Sequence, residues 1–100
     1  MEVKVYWSSK AEKQFESIVE YLETNWGINS ASKFVNSIFE FIEILSDFPE
    51  IGSIEHLELN IRGFVIAKQI TIFYQIRQNK VVILNLYDNR QKPKKKRFLN

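Results

Sequence analysis

A chain of 100 residues with 45% hydrophobic and 14% aromatic residues has the material for a single core. It contains no cysteine and one histidine, which excludes a disulfide framework, a thiol nucleophile and any zinc site built on Cys or on several His. The formal charge of +2 conceals a division: residues 1–58 hold four Lys against eleven Asp or Glu (net −7), and residues 59–100 hold ten Lys or Arg against one Asp (net +9). One part of the folded surface is therefore expected to attract phosphate while another repels it.

Taken in chain order, Val3 to Trp7 alternate and are rich in β-branched and aromatic side chains, which predicts a strand. The same opening lacks the basic start and unbroken apolar run of a secretory leader, and no stretch reaches the roughly 18 to 20 apolar residues that span a bilayer. A soluble, cytoplasmic chain with no membrane partner is the expectation. Ser9-Lys10-Ala11-Glu12 has the spacing of a capping box and predicts a helix start. Its inward stripe is Ala11, Phe15, Ile18, Leu22 and Trp26, and Gly27 ends it. Asn29 or Ser30 is then expected to cap a second helix reaching Asp47, with Ala31, Phe34, Val35, Ile38, Ile42 and Leu45 inward. Phe39, Phe41 and Ile44 widen that stripe, as deep packing between sheet and helix requires or as a partner-binding groove would.

Pro49 and Gly52 break the second helix. Three β-patterned runs follow, about Leu59 to Lys68, Ile70 to Arg77 and Val81 to Tyr87, the last two joined by Gln78-Asn79-Lys80 as a hairpin. The order β-α-α-β-β-β predicts an α+β fold, with both helices packed on one face of a small antiparallel sheet. Residues 1–91 are read as one domain and residues 92–100 as a basic, mobile tail, since five of the six residues from Lys92 to Arg97 are cationic.

Side chains alternate across a strand, so parity sorts the polar residues. Arg62, Lys68, Phe73, Gln75, Arg77, Asn85 and Tyr87 are predicted to share the sheet face away from the helices, a cationic and aromatic surface suited to RNA or another phosphate ligand. Equally, the solvent side of a half-buried sheet is polar in any protein. His56, beside Glu55 and Glu58, is expected to be solvated rather than a ligand. Glu40 and Glu43 read as solvent-facing helix carboxylates. No Gly-rich phosphate loop, nucleophile elbow or Walker motif occurs, so no cofactor and no metal are expected.

An ordered series of residues gives the sequence a wider likeness. It comprises Val5-Tyr6-Trp7-Ser8 with Ala11, Tyr21 and Trp26-Gly27; Ala31 with Phe34, Leu45, Phe48-Pro49 and Ile51-Gly52; then Arg62, Tyr74 with Ile76, and the closing Tyr87-Asp88-Asn89-Arg90-Gln91 with Pro93. In this series the chain resembles toxins of the RelE/ParE superfamily of type II toxin-antitoxin and plasmid-stabilisation modules. The resemblance implies the β-α-α-β-β-β architecture and a cognate antitoxin that wraps over the toxin. It also implies one of two activities: metal-independent cleavage of mRNA on the ribosome, or poisoning of DNA gyrase.

For the nuclease, which the sequence places first, Arg62, Arg77, Tyr87 and Arg90 match the family's basic and tyrosine positions, with Arg62 and Arg90 on phosphate and Arg77 and Tyr87 supporting in-line attack. The lysine pair that some RelE-like enzymes carry before the first Arg is absent, as is the His-Tyr pair of another branch. Gyrase inhibition, or a degenerate member that only binds its antitoxin, is the alternative.

Overall fold

The computed structural model describes residues 2–67 and 69–89. Its elements are β1 (Lys4–Trp7), α1 (Ser9–Trp26), α2 (Ile28–Asp47), β2 (Ser53–His56), β3 (Ile61–Ile66), β4 (Ile70–Arg77) and β5 (Lys80–Asp88). Five strands form one sheet in the order β1-β5-β4-β3-β2. All neighbours are antiparallel except β1, which lies parallel to β5 along Lys80 to Ile83. The α+β arrangement expected from the sequence is present, with two refinements: the sheet is mixed, and β2 is an additional strand. Its four residues, Ser-Ile-Glu-His, lie at an edge and are mostly exposed, so they carry no apolar alternation by which to be recognised.

The helix starts differ from the expected ones. Ser8, one residue earlier than the capping box suggested, caps α1, its hydroxyl accepting from the Ala11 amide at 3.0 Å. Gly27, at φ +95°, serves both helices: its amide donates to the Glu23 carbonyl, and it is also the N-cap of α2, which therefore starts at Ile28 without a side-chain cap. Only a residue without Cβ enters that backbone region cheaply. Trp26, just before this turn, is 65% exposed rather than inward.

The core lies between the helices and one sheet face. Ala11, Phe34, Ile38 and Leu45 meet Ile66, Ile72, Tyr74, Val81, Ile83 and Leu86. Phe41 is buried as well, its ring stacked on Phe64 at 4.7 Å between centroids and edge-on to Tyr74 at 6.2 Å. Deep packing therefore accounts for Phe41, whereas Phe39 and Ile44 remain exposed.

One irregularity sets which residues of β5 point inward. Phe73 pairs with Asn85 but Tyr74 pairs with Ile83, so Leu84 is an extra residue that bulges from the ladder. Val81 and Ile83 before the bulge and Leu86 after it all reach the core, which strict parity forbids. A two-residue turn with Gln78 at φ +49° joins β4 to β5. Among the described residues no helix is long and apolar enough to cross a membrane.

Candidate functional site

The sheet face away from the helices is not the continuous cationic surface expected. Arg62 pairs in register with Tyr74 of the core, and its neighbours Phe64 and Ile66 pack against the helix side. Arg62 thus points toward the helices. Its Nη1 donates to the carbonyls of Glu50 at 3.0 Å and Gly52 at 2.8 Å, so the guanidinium holds the loop that follows α2. Phe73 is fully buried, its ring over Gly63, where an added Cβ would stand 3.1 Å from a ring carbon. Asn85 is buried too, and its carboxamide oxygen accepts from Gln14 of α1 at 2.8 Å. Of the seven expected residues, Arg62, Gln75, Arg77 and Tyr87 remain at least partly accessible, Arg62 on the helix side. Lys68 and Arg90 lie outside the described residues, as does the 92–100 tail.

Among the described residues, the candidates Arg77 and Tyr87 stand apart. Arg77 pairs with Lys80 at the hairpin end of β4, and Tyr87 pairs with Thr71 near its other end. Six residues along a strand correspond to roughly 20 Å. Groups acting on one reacting phosphate must approach it to about 3 to 3.5 Å. Arg77 is turned instead to its own strand, its Nε donating to the Gln75 carboxamide oxygen at 2.6 Å.

Tyr74, which strand parity places on the helix side with Ile70, Ile72 and Ile76, uses its hydroxyl twice. It is fully buried; its hydroxyl donates to the Pro49 carbonyl at 2.7 Å and accepts from the Gly52 amide at 2.9 Å. Burial pushes its pKa above the usual tyrosine value, partly offset by the Gly52 hydrogen bond and the nearby Arg62 charge. Tyr74 and Arg62 together tie the loop at residues 49–52 to the sheet, and a residue with Cβ at Gly52 would meet the Gly63 carbonyl and the Tyr74 hydroxyl at 2.8 Å each.

At the opposite end, α1 and the second half of β5 enclose a groove of about 1110 Å³. Lys10, Lys13 and Tyr21 line it from the helix, Leu86 and Tyr87 from the strand. The end of β5 is fixed: Thr71 and Asn89 exchange side-chain hydrogen bonds at 2.9 and 3.2 Å, and the Asn89 amide donates to the Gln69 carbonyl. Tyr87 is therefore held on an ordered strand beside a basic helix flank. Sequence spacing did not reveal this groove, because it joins residues more than sixty positions apart.

His56 is half-buried, its Nδ1 accepting from the Leu59 amide at 3.3 Å. Among the described residues no group of three or more His, Cys, Asp or Glu is arranged to hold a metal.

Two helices lie over one face of a sheet that begins with a parallel edge strand, and a groove opens between α1 and β5. The model of the ParE toxin family, the toxin of the parDE type II toxin-antitoxin system, matches residues 5–93, and the chain belongs to that family. Among solved structures it is similar to a chain of the chromosomal ParDE toxin-antitoxin system from P. aeruginosa, with a TM-score of 0.72. That match is 17% identical and covers 86% of this chain and 95% of the other. At that identity the likeness concerns the fold. No curated protein sequence gives a match.

Proposed function

We propose that this chain arrests growth by binding DNA gyrase in the cytoplasm, with no chemical step of its own, and that a cognate antitoxin neutralises it. The observation that carries this reading is the dispersal of Arg62, Arg77 and Tyr87: one is bound to the loop after α2, and the other two stand roughly 20 Å apart along the sheet. Membership of the ParE family supports the same choice, since it is the ParE-like branch that the sequence resemblance connects with gyrase. The sequence ranked ribosome-dependent mRNA cleavage first. We rank gyrase binding ahead of it, because a nuclease would need its basic and phenolic groups to meet around one phosphate and Arg62, Arg77 and Tyr87 stand apart.

The test pairs two measurements. Purified protein in excess is added to a gyrase supercoiling reaction, and transcripts are mapped in cells expressing it without antitoxin. Loss of supercoiling with intact transcripts is expected. Normal supercoiling together with cleavage of ribosome-bound mRNA would return the assignment to the endoribonuclease, and unimpaired growth would mark a degenerate member that retains antitoxin binding alone. For the antitoxin, co-elution with the product of the adjacent gene on size exclusion is expected, and separate elution would count against the toxin reading as a whole.

A further inference from the structure

At the hairpin end of the sheet the strand register aligns three cations. Lys4 of β1 pairs with Lys80 of β5, and Lys80 pairs in turn with Arg77 of β4. Their neighbours Val5, Ile76 and Val81 pack into the core, so alternation turns all three cations to the face away from the helices, where they are exposed. The row crosses three strands and is about 10 Å long.

Like charges directly opposite one another destabilise a sheet. Little offsets them here, since the single carboxylate within β1, β4 and β5 is Asp88 at the far end of β5. Glu2 precedes β1 and Glu58 precedes β3, and neither forms an ion pair with the row among the described residues. Two contacts shape the row. The Arg77 Nε donates to the Gln75 carboxamide oxygen at 2.6 Å, and Gln75 is itself fixed by donating to the Leu59 carbonyl at 2.7 Å. The two Nη groups of Arg77 are thereby left as a fork. The Lys80 Nζ stands 5.4 Å from the Tyr6 ring centroid, so that ring face holds an ammonium.

We propose that this row binds the phosphate backbone of duplex DNA, with the Arg77 fork and the Lys4 and Lys80 ammoniums on successive phosphates of one strand. A DNA strand advances about 3.4 Å along the axis per phosphate, so a row of about 10 Å matches three. The aromatic residue decides between duplex and single strand. Single strands are held by rings on which successive bases stack, and Tyr6, the exposed ring of this patch, already has Lys80 over it. Phosphate contacts carry no sequence information, so binding is independent of sequence. DNA bound by this row is also independent of the gyrase reading, which the supercoiling reaction tests by itself.

The test is a titration of a short fluorescent duplex of mixed sequence with the full chain, residues 92–100 being present in every variant. Lys4→Gln/Lys80→Gln is expected to weaken binding at least about fivefold and to lower the slope of log affinity against log salt by about 1.8. Lys13→Gln/Lys33→Gln removes the same charge from the helices and is expected to stay within about twofold with the slope unchanged. Arg77→Lys keeps the charge without the fork, and a loss of about threefold at an unchanged slope is expected. In the unaltered protein, amide resonances of residues 4–6 and 75–82 should shift on adding the duplex while those of α2 stay in place, a readout that needs no variant to fold. Equal losses in the two double variants, or shifts that avoid residues 4–6 and 75–82, would overturn the row, as would no binding by the wild type. Tighter binding of a single-stranded RNA of the same length, lost in Lys4→Gln/Lys80→Gln, would overturn the duplex in favour of a single strand.

Discussion

Tyr74 and Tyr87 stand on adjacent strands of the same sheet, and the protein uses them in opposite ways. Tyr74 is enclosed, with its hydroxyl donating to one backbone carbonyl and accepting from one backbone amide of the loop after α2. Tyr87 sits half-buried on the wall of the α1/β5 groove, and no hydrogen bond of its side chain occurs among the described residues. The arginines divide in the same manner, Arg62 consumed by the loop and Arg77 left at the hairpin. The loop end is held by the Tyr74 hydroxyl and the Arg62 guanidinium, whose buried Nε finds no partner among the described residues; the groove end is held by Gln14 and by the Thr71–Asn89 pair. What separates the two tyrosines is whether loop backbone stands within reach of the hydroxyl.

The largest effect should come from the loop itself. Gly52→Ala places a Cβ 2.8 Å from the Gly63 carbonyl, a backbone atom of the central sheet that cannot swing aside. A loss of about 3 kcal/mol is expected, at the upper end of overpacking costs, read as a fall in the urea midpoint. A loss under about 1 kcal/mol would show that the loop is free to lift and that Tyr74 and Arg62 do not hold it.

Next comes Tyr74→Phe, which leaves the Gly52 amide and the Pro49 carbonyl without their partner. Stranding buried backbone groups costs roughly 1 to 3 kcal/mol, and about 2 is expected. Near 4 to 8 °C per kcal/mol, that lowers the melting temperature by roughly 8 to 16 °C. The same substitution tests a pH effect. Burial raises the folded-state pKa of Tyr74 above the usual tyrosine value of 10.0, so the unfolded chain releases this proton more readily. Stability from this group is present below pH 10 and declines as pH rises above it toward the folded value. Melting followed from pH 8 to 11 should show an alkaline loss in the wild type that is smaller in Tyr74→Phe; equal losses would mean that other groups cause it.

How far these features were legible in the sequence follows from the kind of signal each leaves. The helices and the long strands β3 to β5 announce themselves by periodicity, because each buries one face. The strand β2 does not, since a four-residue exposed edge has no apolar period to display. The bulge at Leu84 also left no mark: Val81, Ile83 and Leu86 are all apolar, and only the pairing with Phe73 and Tyr74 reveals that one residue is extra. The placement of Arg62 failed for a related reason. Phe64 and Ile66 share its parity and are core residues, yet the charge of Arg62 argued for solvent, and the carbonyls that satisfy it come from a loop ten to twelve residues away. The groove joins α1 to β5 across the whole chain, and local patterns do not encode such pairings.

Arg62→Lys should have a smaller effect than Tyr74→Phe. A lysine keeps the charge and can reach one carbonyl, but it lacks the planar fork that serves Glu50 and Gly52 together. About 1 kcal/mol of stability is expected to be lost, with growth arrest unchanged at a temperature where the variant is folded. Loss of arrest in a folded Arg62→Lys protein would assign Arg62 a part in function beyond the loop.

The smallest expected change is Tyr87→Phe, and it separates the functional readings most cleanly. Removing a hydroxyl that bonds nothing among the described residues should shift stability by less than about 0.5 kcal/mol. The ring itself is kept, so antitoxin affinity should change less than threefold. A gyrase-binding toxin without chemistry therefore keeps its growth arrest when Tyr87 becomes Phe. An endoribonuclease that uses the phenol in proton transfer loses its cleavage, because that step needs an ionisable oxygen at the reacting group. Arrest abolished by this one atom, in a protein whose melting temperature is unmoved, would place chemistry at the end of β5 and reverse the order of the two readings.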